Sequence, residues 1–222
     1  MSFNLLRRGP LHRLCCAHIA ALRRLCLCEV LDKPLEPGAT APELPVDPER
    51  ATVLVAVAAR QAVAGSDQPE SEDDLPRAVV WTAGADALLV LLDTLTVRTA
   101  DGVVTIGVDV SCDELQTTTG TPQARVAIDF VIGTKERPTG LLAATTPPRG
   151  PALVVNRWGD ALVAFAWQAL LDTAAGLTAS AGADTDGAHL LPTAWTASPA
   201  GIAIRPQARH EIDRRVQTAV RR

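Results

Sequence analysis

Apolar and polar residues alternate from Ala87 to Ile132, and this alternation predicts antiparallel β-strands. Asp101-Gly102 divides the first two strands, and Asp-Gly is a preferred pair for a two-residue type I′ turn. Counting outward from the turn gives an apolar face with the pairs Thr99–Val104, Val97–Ile106, Leu95–Val108, Asp93–Val110 and Leu91–Cys112. The opposite face is polar, so we expect it to contact water.

Other strands and two helices complete the predicted fold. A third strand, which alternates up to Ile132, follows a loop at 116–122. Shorter strands are predicted at 78–82 and 141–145, and a last hairpin is predicted around 198–200. One helix is predicted over 48–64, with Asp47 as its N-cap, and a second over 157–175, closed by Gly176. The predicted fold class is α+β, an antiparallel meander of about four to six strands packed against two apolar helices.

The helix at 157–175 is apolar around most of its circumference. A helix that packs on a single sheet needs an apolar arc of only about 100°. We therefore expect this helix to contact two surfaces, the sheet and either the first helix or another subunit. Four of its residues form the predicted interaction surface, although aromatic residues in such a pattern more often belong to the core. They are Trp158, Phe165, Trp167 and Leu171.

The chain divides into three predicted regions. Residues 1–33 form a basic, amphipathic N-terminal segment, 34–47 a Pro-rich linker, and 48–222 a single α+β domain. The N-terminal segment is predicted to dock on a partner, to contact an anionic membrane surface peripherally, or to be a flexible tail. It is a poor secretory signal, because Arg23 and Arg24 interrupt its apolar part.

Composition excludes several classes of protein. The net charge of −4 argues against a general or sequence-specific nucleic-acid binder. The five cysteines are an odd number without a secretory signal, and no apolar run is predicted to reach the roughly 18 residues of a membrane span. We therefore expect a cytoplasmic protein. Arg outnumbers Lys strongly, which suggests a bacterial source with high-GC coding.

Two polar residues are weak candidates for chemistry. Asp93 is the one carboxylate on the predicted apolar face, so it is either a buried acid with a raised pKa or a residue at the sheet margin beside solvent. His189 could form an acid–base pair with Asp184 or Asp186 if the fold brought a substrate there. The sequence contains no nucleophile elbow, Walker loop or dinucleotide fingerprint.

A metal site is a further possibility in the N-terminal segment. Its thiols and imidazoles have the chemistry of zinc ligands, but the spacing differs from the usual Cys-x2-Cys knuckle. They are Cys15, Cys16, Cys26, Cys28, His12 and His18. The sequence therefore predicts no catalytic residue, cofactor or metal.

These features predict a non-enzymatic structural or adaptor protein that self-assembles or docks into a larger protein complex. The alternative is a small-molecule or lipid-binding domain with a cleft between sheet and helix. An enzyme centred on Asp93 or His189 is the third hypothesis.

Overall fold

The computed structural model describes residues 43–64, 71–136, 144–145, 147–183 and 190–208. Its elements in chain order are β1 (Leu44–Val46), α1 (Pro48–Ala64), β2 (Ala78–Ala83), β3 (Asp86–Ala100), β4 (Val103–Ser111), α2 (Asp113–Thr119), β5 (Gln123–Val131), β6 (Ala144–Thr145), α3 (Ala152–Ala183), β7 (Leu190–Ser198) and β8 (Gly201–Ala208). Strands β2-β3-β4-β5-β6 form one antiparallel sheet, and β1-β8-β7 form another. The α+β class and the meander are confirmed.

Local signals placed several elements correctly. The N–H of Arg50 donates to Oδ1 of Asp47 at 2.8 Å, so Asp47 caps α1 as predicted. The turn between β3 and β4 is Asp101-Gly102, with Gly102 at φ 69°. The strand at 78–83 and the last hairpin also form, and the hairpin turns at Pro199-Ala200.

Several element boundaries differ from the prediction, among them the start of α3, which lies at Ala152 and not at 157. The first part of the loop expected at 116–122 belongs to helix α2. This helix forms because the acidic Asp113 and Glu114 occupy its first turn and Leu115 is fully buried. Helix α3 continues past Gly176, since burial of the following Thr178 supports another two turns. The pattern of apolar residues over 207–222 also predicts a C-terminal helix, but Gln207 belongs to strand β8, and the residues after Ala208 lie outside the described part of the chain.

The pairing of β3 with β4 changes register at a bulge. The pairs Thr99–Val104 and Val97–Ile106 form as predicted, but beyond Thr96–Gly107 the next pair in register is Leu91 with Asp109. Residues 92–95 of β3 therefore face the single residue Val108. None of the three predicted pairs beyond this point forms. The inner face of β3, which faces the helices, takes even-numbered residues before the bulge and odd-numbered ones after it.

An arginine on β5 holds the bulge in place. The guanidinium of Arg125 crosses β4 and donates to the carbonyl of Thr94 at 2.8 Å, to the hydroxyl of Thr96, and to Oδ1 of Asp109 at 2.9 Å. The Thr94 hydroxyl accepts the N–H of Asp109 at 2.8 Å. Arg125 can cross β4 because Gly107 has no side chain; a Cβ there would lie 2.6 Å from Nη2.

Helix α3 lies at the centre of the fold. It packs against α1, β5 and β7, so both of its contact surfaces come from its own chain. Helix α1 is fixed in turn by Thr52, whose hydroxyl accepts the N–H of Val97 on β3 at 2.9 Å. The two sheets meet where the Gly102 N–H donates to the carbonyl of Ala197 at 3.1 Å, and the Ala197 N–H to that of Gly133 at 3.0 Å.

Helix α3 is also long and apolar enough to cross a membrane, judged by length and composition over 152–182. The expectation that no such run exists is therefore wrong. Part of this stretch is buried inside the fold, and the core helix of a soluble protein passes the same test. The cytoplasmic location stays a prediction.

Replacing Gly107 by Ala should displace the Arg125 guanidinium and break its bonds to Thr94 and Asp109. We expect the free energy of unfolding to fall by about 1 kcal/mol. In an Arg125→Ala background the same change should be neutral or stabilising, because Ala is preferred over Gly in a strand by about 0.5–1 kcal/mol. Urea unfolding of the four chains forms a double-mutant cycle. An equal loss in both backgrounds would contradict this account.

Candidate docking surface on the outer face of the sheet

The predicted interaction surface on α3 lies mainly inside the fold. Trp158 and Phe165 are 3% and 4% exposed, whereas Trp167 and Leu171 are half-buried. The Phe165 ring meets Trp81 of β2 edge-on, with centroids 5.5 Å apart. Trp158 and Phe165 are therefore core residues in this chain and are not presented to a partner.

An aromatic chain joins the two sheets through α3. Trp167 stacks on Phe130 of β5 at 5.5 Å and tilts against Trp195 of β7 at 6.4 Å. Trp195 is 2% exposed, and its Nε1 has no hydrogen-bond partner among the described residues. These contacts explain why an apolar α3 needs no second subunit to bury its aromatic residues.

A small apolar cavity of about 10 Å³ lies between α1, α3 and the three-stranded sheet. Its lining comprises Val46, Ala51, Val55, Leu170, Thr173, Leu177, Trp195, Ile202 and Ile204. A drug-sized ligand needs a site of at least roughly 300 Å³. This cavity therefore gives no support to the cleft expected for a small-molecule or lipid-binding domain.

Of the two polar candidates, Asp93 is the one that lies among the described residues. Asp93 is exposed on the β3 bulge, so it lies beside solvent, as the second interpretation held, and is not a buried acid; its predicted pair with Val110 does not form. The physical reason is the change of register, which moves Asp93 out of the alternation. His189, Asp184 and Asp186 lie outside the described residues.

Cys112 and several carboxylates are the possible metal ligands in the described part of the chain. There, no three side chains of His, Cys, Asp or Glu come together to hold a metal ion. The N-terminal cysteines and histidines lie outside the described residues, and Cys112 is a half-buried free thiol. No protein family, curated protein or solved structure matches this chain.

Ion pairs cover the centre of the outer face, which points away from the helices. Arg125 pairs with Asp109 at 2.9 Å, and Arg149 pairs with Asp129 at 2.5 Å. Both pairs are partly exposed, so each contributes little to stability. Because their charges are matched, neither of these two pairs offers a free charge to an ionic ligand.

Apolar side chains gather at one edge of the same face, where β2 pairs with β3. We call Ala78, Val80, Leu89 and Leu91 the outer patch; Ala78 lies opposite Leu91, and Val80 opposite Leu89. Val80 is 43% exposed, and the other three are half-buried. Because β2 is an edge strand, the outer patch reaches the margin of the sheet. Exposed apolar surface beside an edge strand is typical of a docking site.

Carboxylates lie at one end of the outer patch. Asp93 is exposed two residues beyond Leu91, and the exposed Asp73 and Asp74 belong to the turn that leads into β2. The Arg77 carbonyl accepts the N–H of Asp93 at 3.3 Å, so both features lie at the same end of the β2–β3 pair. Arg77 is an exposed cation at the same end, and the three exposed carboxylates among the described residues there outnumber it.

Sequence reasoning missed the outer patch because it assigned Leu91 to the inner face. The available signal was the uninterrupted apolar run from Ala87 to Leu92. A strand apolar at every position presents apolar side chains on both faces, whereas a half-buried strand alternates. This run therefore indicated a second apolar surface on β3.

Replacing Phe165 by Ala should lower the free energy of unfolding by about 3–5 kcal/mol, because a buried ring against Trp81 is lost. The half-buried Leu171→Ala is the control and should cost about 1 kcal/mol. Urea unfolding measures both changes. A Phe165→Ala chain of unchanged stability but altered solution mass would instead indicate a subunit interface.

Asp172 supplies a prediction on pH. Burial raises the pKa of its carboxyl, and the hydrogen bond from Gln168 Nε2 to Oδ1, at 2.7 Å, offsets part of this rise. An acid whose pKa is raised in the folded chain destabilises the fold above that pKa, and the penalty disappears as the pH falls below the ordinary value of 3.8.

Asp172→Asn should therefore raise the free energy of unfolding at neutral pH by less than about 1 kcal/mol, with the gain shrinking toward acid pH. Gln168→Ala is the opposing variant, because it removes the bond that favours the charged carboxylate. It should destabilise more at neutral than at acid pH. Unfolding curves from neutral to mildly acidic buffer test both, and a gain from Asp172→Asn that is independent of pH would refute the assignment.

Proposed function

We propose that this protein is a non-enzymatic assembly or adaptor protein that docks protein partners, a second copy of itself included, through the outer patch. The observation that carries the proposal is the 43% exposure of Val80, together with Leu89 and Leu91, on an edge of the sheet. Burying such side chains contributes roughly 25 cal/mol per Å² of apolar area, so a protein partner would gain by covering them.

Two features favour docking over ligand binding. The aromatic residues of α3 pack against Trp81, Phe130 and Trp195, which leaves them no role as the lining of a ligand cleft. The apolar cavity of about 10 Å³ is smaller than an organic ligand. Contact of the N-terminal segment with a membrane surface stays a separate prediction.

The test is the solution mass of the chain, measured by light scattering over a range of concentrations, with and without residues 1–33. Val80→Asp should weaken association, because it places a charge in the outer patch. Val131→Asp is the matched control, since Val131 is 45% exposed on the same face beyond β4. A chain that is monomeric in both lengths would refute self-docking, and equal weakening of association by both variants would contradict docking through the outer patch.

A further inference from the structure

We propose that residues 11–28 of the same chain dock on the outer patch and compete with protein partners for it. This inference rests on the proposed function of the patch and adds a means of regulating it. The occupant is a segment that this chain itself carries, and the reasons are its charge, its apolar spacing and its reach.

Charge favours this occupant. The first 33 residues hold six basic residues and two acids, a net charge of +4, whereas the chain as a whole carries −4. Residues 34–222 therefore carry −8. Within 11–28 the charged side chains are Arg13, Arg23 and Arg24, with no acid. Asp73, Asp74 and Asp93 supply the opposite charge at one end of the outer patch.

The apolar spacing also fits. A helix over 11–28 would place four leucines within a narrow arc, and Arg13 and Arg24 on the opposite side. The four are Leu11, Leu14, Leu22 and Leu25. The leucines would pack on the sheet, and the long arginine side chains would extend toward the carboxylates at the end of the outer patch.

The chain between the two parts is long enough. Residues 29–42 separate the segment from Glu43, the first described residue before β1. Fourteen extended residues span up to about 45 Å, which is close to the diameter of a domain of this size. A tethered segment has an effective concentration in the millimolar range, so a partner must bind well to displace it.

Disulfide trapping in the full chain tests the contact. Cys15, Cys16, Cys26 and Cys28 supply thiols within the segment, and Cys112→Ser removes the thiol of the described domain. Val80→Cys then places one thiol in the outer patch. Val131→Cys is the control, because the two valines are 43% and 45% exposed on the same face.

After mild oxidation at low protein concentration, peptide mapping counts intramolecular disulfides between the segment and the introduced thiol. We expect at least about fivefold more from Val80→Cys than from Val131→Cys, because docking raises the local thiol concentration only at the patch. Changing Arg13, Arg23 and Arg24 to Glu should reduce that excess. Equal yields at the two positions, or disulfides formed only between molecules, would overturn the proposal.

The two proposals fail separately. If the disulfide yields at positions 80 and 131 are equal but Val80→Asp still weakens association, the outer patch docks partners and residues 11–28 do not cover it. If trapping succeeds while neither length of the chain associates, residues 11–28 cover the patch and self-docking is refuted.

Discussion

The burial of α3 is the constraint on which the rest of the structure depends. A helix of 32 residues that is apolar around most of its circumference cannot be covered by one sheet. Helix α1 covers a second side and β7 a third, while Trp167 links Phe130 of one sheet to Trp195 of the other. The second sheet therefore helps to bury α3, and a second subunit is not needed to bury it.

Much of the fold could be predicted from local signals. Asp47 before Pro48 fixed the start of α1, and Asp101-Gly102 fixed the first hairpin and its nearest pairs. The register beyond Thr96 could not be predicted, because it depends on a contact distant in sequence. Arg125 stabilises the bulge from two strands away, and it reaches there because Gly107 leaves room. Alternation within one strand carries no information about such a contact.

The candidate site was less predictable for the same reason. From Ala87 to Leu92 β3 is apolar at every position, so periodicity could not show which leucines face the helices. The bulge sets that choice and turns Leu89 and Leu91 outward beside Val80. Trp158 and Phe165 were recognised as important by their apolar character, but residue type alone does not distinguish a core from an interface.

The bulge also links the fold to the proposed docking surface. It places the apolar leucines of the outer patch next to the charged, exposed Asp93 on β3. An edge strand with exposed apolar residues invites unwanted pairing, and charges beside it are a common protection. Carboxylates are a selective form of protection, because they repel an acidic chain and attract a basic one. Residues 11–28 combine leucines with arginines and no acid, so the chain contains a segment of the composition that such a surface selects.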